Sequence, residues 1–240
     1  MQGALVVLEG AEGVGKTTQA RRLVDTLTQH GVSCDYFREP GGTLLGESIR
    51  AVLLERSQSV TPAAEALLFM ASRAQLMSEK VTPALREGRV VILDRFFLST
   101  YAYQVHGRGL PEAEVREANL LAVGSVVPDA TVVLRLPASE GLERAAARSA
   151  RDYMEQLGDD FHASVARAFD EFVKPAWQST HTECGPVERY SSTHEVDPGN
   201  GILTVHAEII TDDEARIRPA NENGALQTEL INDGGNIVRP

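Results

Sequence analysis

The chain has 240 residues, of which 42% are hydrophobic and 24% charged, the composition of a globular protein long enough to bury a substantial core. Its formal charge of -11 argues against broad binding to DNA, RNA or anionic lipid, which Lys and Arg must dominate, while a small polyphosphate needs only local donors. No apolar run approaches bilayer length, no basic leader precedes the first apolar stretch, and Cys34 and Cys184 lack metal or redox spacing, so a soluble cytoplasmic protein with no membrane or nucleic-acid partner is expected.

Residues 4–8 are uninterruptedly apolar, as in a buried strand, and residues 16–30 place Ala20, Leu23, Val24 and Leu27 at helical spacing before Gly31 stops the run. A second strand is expected over 32–37, a turn at Pro40, Gly41 and Gly42, and a helix over 44–54. Thr61 and Pro62 suit the N-cap and first position of a long helix over 63–76 that extends toward Leu85, with Pro83 bending its last turns and Gly88 ending it. Residues 90–93 are again fully apolar and lead into Asp94, the pattern of a central parallel strand with an acid at its carboxyl edge.

Pro111, Glu112 and Glu114 fit the first turn of another helix, residues 131–136 another buried strand, and residues 142–172 an Arg-rich helical stretch interrupted near Gly158. A last strand is expected over 190–196 and a short helix or strand over 202–210. From Thr211 acidic residues prevail among Asn, Gly and Pro, which predicts a poorly ordered polar tail over 211–240, unless Leu226, Leu230, Ile231, Ile237 and Val238 pack as a small β element. The βαβ alternation predicts an α/β three-layer domain over residues 1–210, a parallel sheet with helices on both faces.

Gly10-Ala11-Glu12-Gly13-Val14-Gly15-Lys16-Thr17 matches the P-loop pattern GxxxxGK[ST] between an apolar strand and an amphipathic helix, so the domain is expected to be a P-loop NTPase fold. Its glycines let successive N–H groups turn toward phosphate, and the helix N-terminus adds partial positive charge. Lys16 would then bridge the β- and γ-phosphates of ATP, and Thr17 would ligate Mg²⁺. Asp94 reads as a second metal-holding acid or as an acid at a structural turn, and the neighbouring P-loop favours the former. Arg95 reads as a phosphate clamp, or as an ion-pair partner of Glu12 or Glu39.

Phe69 and Arg73, four apart on one helix face, suit either a nucleobase platform or core packing, and in the core Arg73 needs a buried acid. Arg144, Arg148 and Arg151 form a basic stripe that is either a solvated face or a mobile lid, residues 144–158, closing over ATP.

In combination these segments resemble the thymidylate kinase family in its bacterial form. Residues 10–18, through Thr18, resemble its P-loop, with Glu12 where the family keeps an acid near the substrate sugar and Gly13 where one subclass places an Arg. A loop without that Arg implies that the lid supplies the catalytic cation. Arg38-Glu39-Pro40-Gly41-Gly42-Thr43 resembles the family's REPGGT signature, and residues 68–73 its thymine-binding helix, which implies that Phe69 stacks on the base and Arg73 donates to its carbonyl. Asp94-Arg95 with Ser99, Tyr103 and Gln104 resembles the segment that meets phosphate and lines the nucleotide pocket.

The resemblance spans residues 3–177 and implies Mg-ATP-dependent phosphorylation of dTMP by a homodimer. It departs in the lid, where Tyr153 stands at a position the family often gives to Arg, so that Arg148 or Arg151 is expected to reach the transferred phosphoryl. Rival readings are another nucleotide or nucleoside kinase, a nucleotide binder without turnover, and a GTP switch, the last weakened because no Asn-Lys-x-Asp reads guanine.

Overall fold

The computed structural model describes residues 3–54, 59–148, 152–185, 187–191, 230–231 and 237–238. Strands β1 (Ala4–Glu9), β2 (Cys34–Arg38), β3 (Val90–Asp94), β4 (Ala130–Arg135) and β5 (Val187–Ser191) form one parallel sheet in the order β2-β3-β1-β4-β5. The strands free of charge until their last residue, β1, β3 and β4, lie inside this sheet, where both faces are covered.

Alternation along these strands sorts their side chains into two cores. Leu5, Val7, Val91, Leu93 and Val133 join one core, with Phe169 and Phe172; Leu8, Ile92 and Leu134 join the other, with Val14 and Ala20. The first core takes residues from α3 (Pro62–Leu76), α6 (Glu112–Val123) and α8 (Asp159–Phe172), and the second takes Ala20 from α1 (Lys16–Gln29). The expected three-layer α/β arrangement is therefore present.

Helix α2 (Leu44–Leu54) has the expected bounds, and Thr61 caps α3, its Oγ1 accepting from Ala64 N at 3.4 Å, with Pro62 at the first position. Beyond Leu76 the chain passes through a π-helical segment, Met77–Val81, into α4 (Thr82–Arg86). Pro83 lacks an N–H and its ring crowds the carbonyl four residues back, at Glu79, where the helix is widened.

Two short elements follow β3 that periodicity does not announce, α5 (Phe97–Thr100) and a π-helical turn, Tyr101–Gly107. They start from a buried carboxylate: Glu9 at the end of β1 accepts from Phe96 N at 2.8 Å, Ser99 N at 3.0 Å and Ser99 Oγ at 2.6 Å. Side-chain acceptors of this kind satisfy the first N–H groups of a helix.

One expectation is sharpened and one needs correction. The helical stretch predicted over 142–172 with an interruption near Gly158 is broken there into α7 (Ala138–Arg148) and α8, and the break is longer than expected, since residues 152–158 are not helical. Asp152 and Glu155 explain the break by reciprocal bonds, Asp152 N to Glu155 Oε2 at 3.3 Å and Glu155 N to Asp152 Oδ1 at 3.0 Å, which hold a turn, while Gly158 sits extended at the N-cap of α8. The last strand begins at Val187 rather than 190, set by its pairing of Thr131 with Val187 through Arg135 with Ser191. It is an edge strand, and Glu188 and Arg189 hid it from an apolar pattern.

Short helical elements follow α8 at α9 (Pro175–Gln178) and at the 3-10 turn Thr182–Cys184. The chain divides into units Met1–Thr193 and His194–Pro240. In the second, Leu230–Ile231 pairs antiparallel with Ile237–Val238, four of the residues named for a small β element; the element expected over 202–210 lies outside the described residues. Among the described residues no helix is long and apolar enough to cross a membrane.

Candidate active site

The parallel register of β1 on β3 sets Leu8 beside Asp94, so the loop after β1 and the turn after β3 leave the sheet at the same edge. The first is the P-loop. Gly15 adopts φ 96 immediately before α1, a left-handed conformation that glycine takes without steric cost. Lys16 folds back over the loop, donating to Gly10 O at 2.9 Å and Ala11 O at 2.6 Å. Burial, and then the charge of Arg95, push its pKa down to about 8 despite the neighbouring Glu12 and Asp94. Thr17 Oγ1 donates to Asp94 Oδ2 at 2.6 Å, and Tyr36 OH reaches the same oxygen at 3.3 Å. The two expected metal ligands are thus adjacent, and a hydroxyl with one carboxylate is an oxygen donor set that suits a hard cation completing its shell with water and phosphate.

The P-loop also meets α7. A Cβ on Gly13, whose φ is 68, would come within 1.8 Å of Gly141 O, and a Cβ on Gly141 would come within 2.3 Å of Glu12 O. Two glycines therefore bring the base of α7 onto the loop backbone.

Arg95 is the only described non-glycine residue with positive φ, at 73. Its N–H is held by Leu8 O at 3.0 Å, and its guanidinium reaches Ser99 Oγ at 3.0 Å, Gly10 O at 3.2 Å and Glu12 Oε1 at 2.8 Å. Tyr103 OH donates to the same Glu12 oxygen at 2.7 Å and its ring lies under Arg95 with 5.2 Å to the centroid. Burial works to raise the Glu12 pKa, but the charges of Arg95 and Lys16 and the Tyr103 bond outweigh it and hold the group down to about 2. The ion-pair reading of Arg95 with Glu12 and its placement at the sheet edge therefore coexist.

Across the cleft the Arg38–Thr43 segment packs against α3. Arg38 is exposed and paired with Glu47 at 3.2 Å, whereas Glu39 is buried against Arg73. All five Arg73 N–H groups are engaged: Nε and one NH2 hydrogen on Glu39 Oε2, at 2.7 and 2.5 Å, the other NH2 hydrogen on Phe96 O at 2.9 Å, and the NH1 hydrogens on Thr100 Oγ1 at 3.0 Å and on Asn119 Oδ1. A base carbonyl would gain a bond from Arg73 only by displacing one of these. Glu39 supplies the buried acid that the core reading of Arg73 required. Phe69 is half-buried and lines the cleft, as do Pro40, Ser99, Tyr103 and Gln104.

The cleft has a volume of about 620 Å³ and reaches from Lys16 and Thr17 to Phe69 and Arg73. Of the remaining expected residues, Gly10 contributes carbonyl oxygen, Ala11 and Val14 face a separate cavity of about 390 Å³ beside Leu134, and Thr18 is exposed on α1. Arg144 is paired with Glu140 at 2.6 Å on the outer face of α7 and does not line the cleft, Arg148 ends α7, and Arg151 lies outside the described residues. The chain returns from that region with Tyr153 N bonded to Leu54 O at 3.2 Å.

Sequence reasoning missed Thr100 and Asn119, which orient Arg73, and Arg50, which lines the cleft and donates to Pro40 O at 2.9 Å. Asn119 had a usable signal: it lies four residues from Val115 and four from Val123, all three buried, so a polar group occupies a core position and must serve a partner.

The thymidylate kinase family model matches residues 8–188 of this chain. A thymidylate kinase of Synechococcus sp. (strain JA-2-3B'a(2-13)) is 48% identical over 164 residues, covering 68% of this chain and 78% of the relative. That of Chlorobium luteolum (strain DSM 273 / BCRC 81028 / 2530) is 38% identical over 215 residues, covering 86% and 94%. Among solved structures, thymidylate kinase from Ehrlichia chaffeensis superposes with a TM-score of 0.63 at 28% identity, covering 79% of this chain and 93% of that one.

Two outcomes follow from the loop geometry. Gly141→Ala should improve helix propensity by about 1 kcal/mol yet weaken ATP binding about tenfold by lifting α7 from Glu12 O, measured by titration calorimetry; unchanged affinity would contradict the seating. Lys16 binds its proton more weakly when folded, so its contribution to stability rises with pH between about 8 and 10.5, while phosphate binding needs the charged form. ATP affinity should accordingly fall about tenfold from pH 7 to pH 9, and Lys16→Arg should flatten that profile.

Proposed function

The chain belongs to the thymidylate kinase family, and we propose that in its cleft it phosphorylates dTMP to dTDP with ATP. The observation that carries this reading is one continuous cleft lined both by Lys16 and Arg95, which share Gly10 O, and by Phe69 and Arg73 of α3 with Gln104, which is bonded to that helix through Glu65. Two phosphate chains and a base fit that division.

In the proposed mechanism the acceptor phosphate oxygen attacks the γ-phosphorus in line, displacing ADP. That oxygen is already nucleophilic, so positioning and charge neutralisation suffice without a strong general base. Lys16 leaves the carbonyls of Gly10 and Ala11 for phosphate oxygens, and the P-loop N–H groups complete the cradle. Arg95 holds the acceptor phosphate, kept in place by Glu12, Ser99 and Tyr103, while Glu12, ionised, orients the sugar side of the acceptor. Thr17 and Asp94 would hold Mg²⁺, which would supply neutralisation of phosphate charge.

Phe69 stacks on the base. Arg73, saturated by its own protein partners, acts on the base through the Thr100 hydroxyl that it orients, and Arg38, Glu39 and Pro40 wall the pocket. Arg148 and Arg151 supply the cation for the transferred phosphoryl, while Arg144 stays paired with Glu140 outside the cleft. Such an enzyme works in the cytoplasm on the soluble nucleotide pool.

ADP release measured with dTMP, dUMP, dCMP, dGMP and thymidine should favour dTMP, require Mg²⁺, and drop by at least about 10³-fold in Lys16→Ala. A purine preference would defeat the base assignment, and binding of both nucleotides without turnover would favour a non-catalytic binder.

We also propose a homodimer. Helix α3 packs between α2 and α6, and across these three helices Leu44, Leu67 and Leu121 are 89%, 63% and 88% exposed, an apolar face that a second copy would cover. Leu67→Glu combined with Leu121→Glu should convert the sedimentation mass from two copies to one; an unaltered mass would place the interface elsewhere.

A further inference from the structure

Glu65 of α3 is fully buried, yet none of the steps above uses it. Its Oε1 accepts from Arg108 Nε at 3.0 Å and its Oε2 from Arg108 NH2 at 2.8 Å, a two-pronged pair that keeps the carboxylate ionised. Arg108 is itself held from another side, with the Phe161 ring 5.2 Å and the Tyr153 ring 5.8 Å from its guanidinium carbon. Gln104 is a further partner: its Nε2 donates to Glu65 Oε1 at 3.1 Å.

An ionised carboxylate only accepts, so the orientation of the Gln104 amide is dictated by chemistry: the NH2 must face Glu65. The carbonyl oxygen of Gln104 is turned away, has no donor among the described residues, and belongs to a side chain that lines the cleft.

We infer that Glu65 is a specificity-determining positioning residue, which locks Gln104 so that the acceptor base meets a hydrogen-bond acceptor and never a donor. The inference rests on the proposed reading that the base lies at the Gln104 end of the cleft. Thymine and uracil present a ring N–H that pairs with such an oxygen. Cytosine presents a ring nitrogen lone pair at the same position, and two acceptors facing each other are repulsive as well as unpaired. A freely turning Gln104 would rotate its amide and accommodate both, so the buried carboxylate on the neighbouring helix removes the orientation that would admit cytosine.

The experiment compares kcat/KM for dTMP and dCMP in Glu65→Gln, whose amide donates as readily as it accepts and so frees Gln104 to rotate. The dTMP to dCMP ratio should fall by at least about tenfold, carried mainly by the two nucleotide KM values, with KM for ATP unchanged. If Glu65→Gln is recovered unfolded, Glu65→Asp takes its place: it keeps a charge for Arg108 but withdraws it from Gln104 by one methylene, and is judged by the same ratio. Gln104→Leu, measured alongside, separates the two levels of the reading. Should it leave KM for dTMP unchanged, the base is not at this end of the cleft and both readings fail. Should it raise KM for dTMP while the Glu65 variant keeps the ratio within about twofold, the placement of the base survives and the role of Glu65 is overturned.

Discussion

The pairing of β1 with β3, Leu8 opposite Asp94, is the constraint on which the rest of the site depends. It places Thr17 2.6 Å from Asp94, lets Leu8 O take the N–H of Arg95 and brings Glu9 to the start of α5. Side chains along a strand alternate faces, so a slip of one residue would send Asp94 to the opposite side and break all three contacts together. Two segments separated by more than seventy residues thus become one phosphate-facing edge through backbone pairing alone.

A chain of net charge -11 builds this edge by giving the cleft cations Arg95, Arg73 and Lys16 a local acid or carbonyl. Arg95 has Glu12, Arg73 has Glu39, and Lys16 has the carbonyls of its own loop. Removing such charges from water is costly, so these pairs are weak contributors to folding stability. Their value lies in orientation: donors fixed before the substrate arrives need not reorganise during transfer. The depressed Lys16 pKa records the same cost, because burial and Arg95 both resist its charge until phosphate is present.

Much of the central fold was legible because the relevant patterns were simple. Fully apolar runs marked β1 and β3, and Gly31, Thr61 and Pro62 punctuated helices as backbone chemistry requires. Elements held by tertiary contacts were not legible. The α5 turn is held by a carboxylate from a distant strand, and although Gly158 announced a break in the helical pattern, its extension back to Asp152 rests on reciprocal side-chain bonds. In the candidate site, residues near a motif were found and those reaching in from elsewhere were not. Phe69 and Arg73 were named together, but Asn119 enters from α6, and that all five donors of Arg73 are engaged cannot be read from spacing. For Arg144, a stripe on a helix does not reveal which way it faces, and here its partner is Glu140.

The contact between Gly13 and Gly141 ties the sequence of the loop to the position of α7. An arginine at position 13 would need its Cβ where the Gly141 carbonyl now lies, so it cannot be added while α7 keeps its seat. A side chain at either glycine is consequently a change in helix placement as well as in loop sequence. Loop and helix therefore have to vary together: whatever enlarges one of the two facing positions must also shift the backbone of the other.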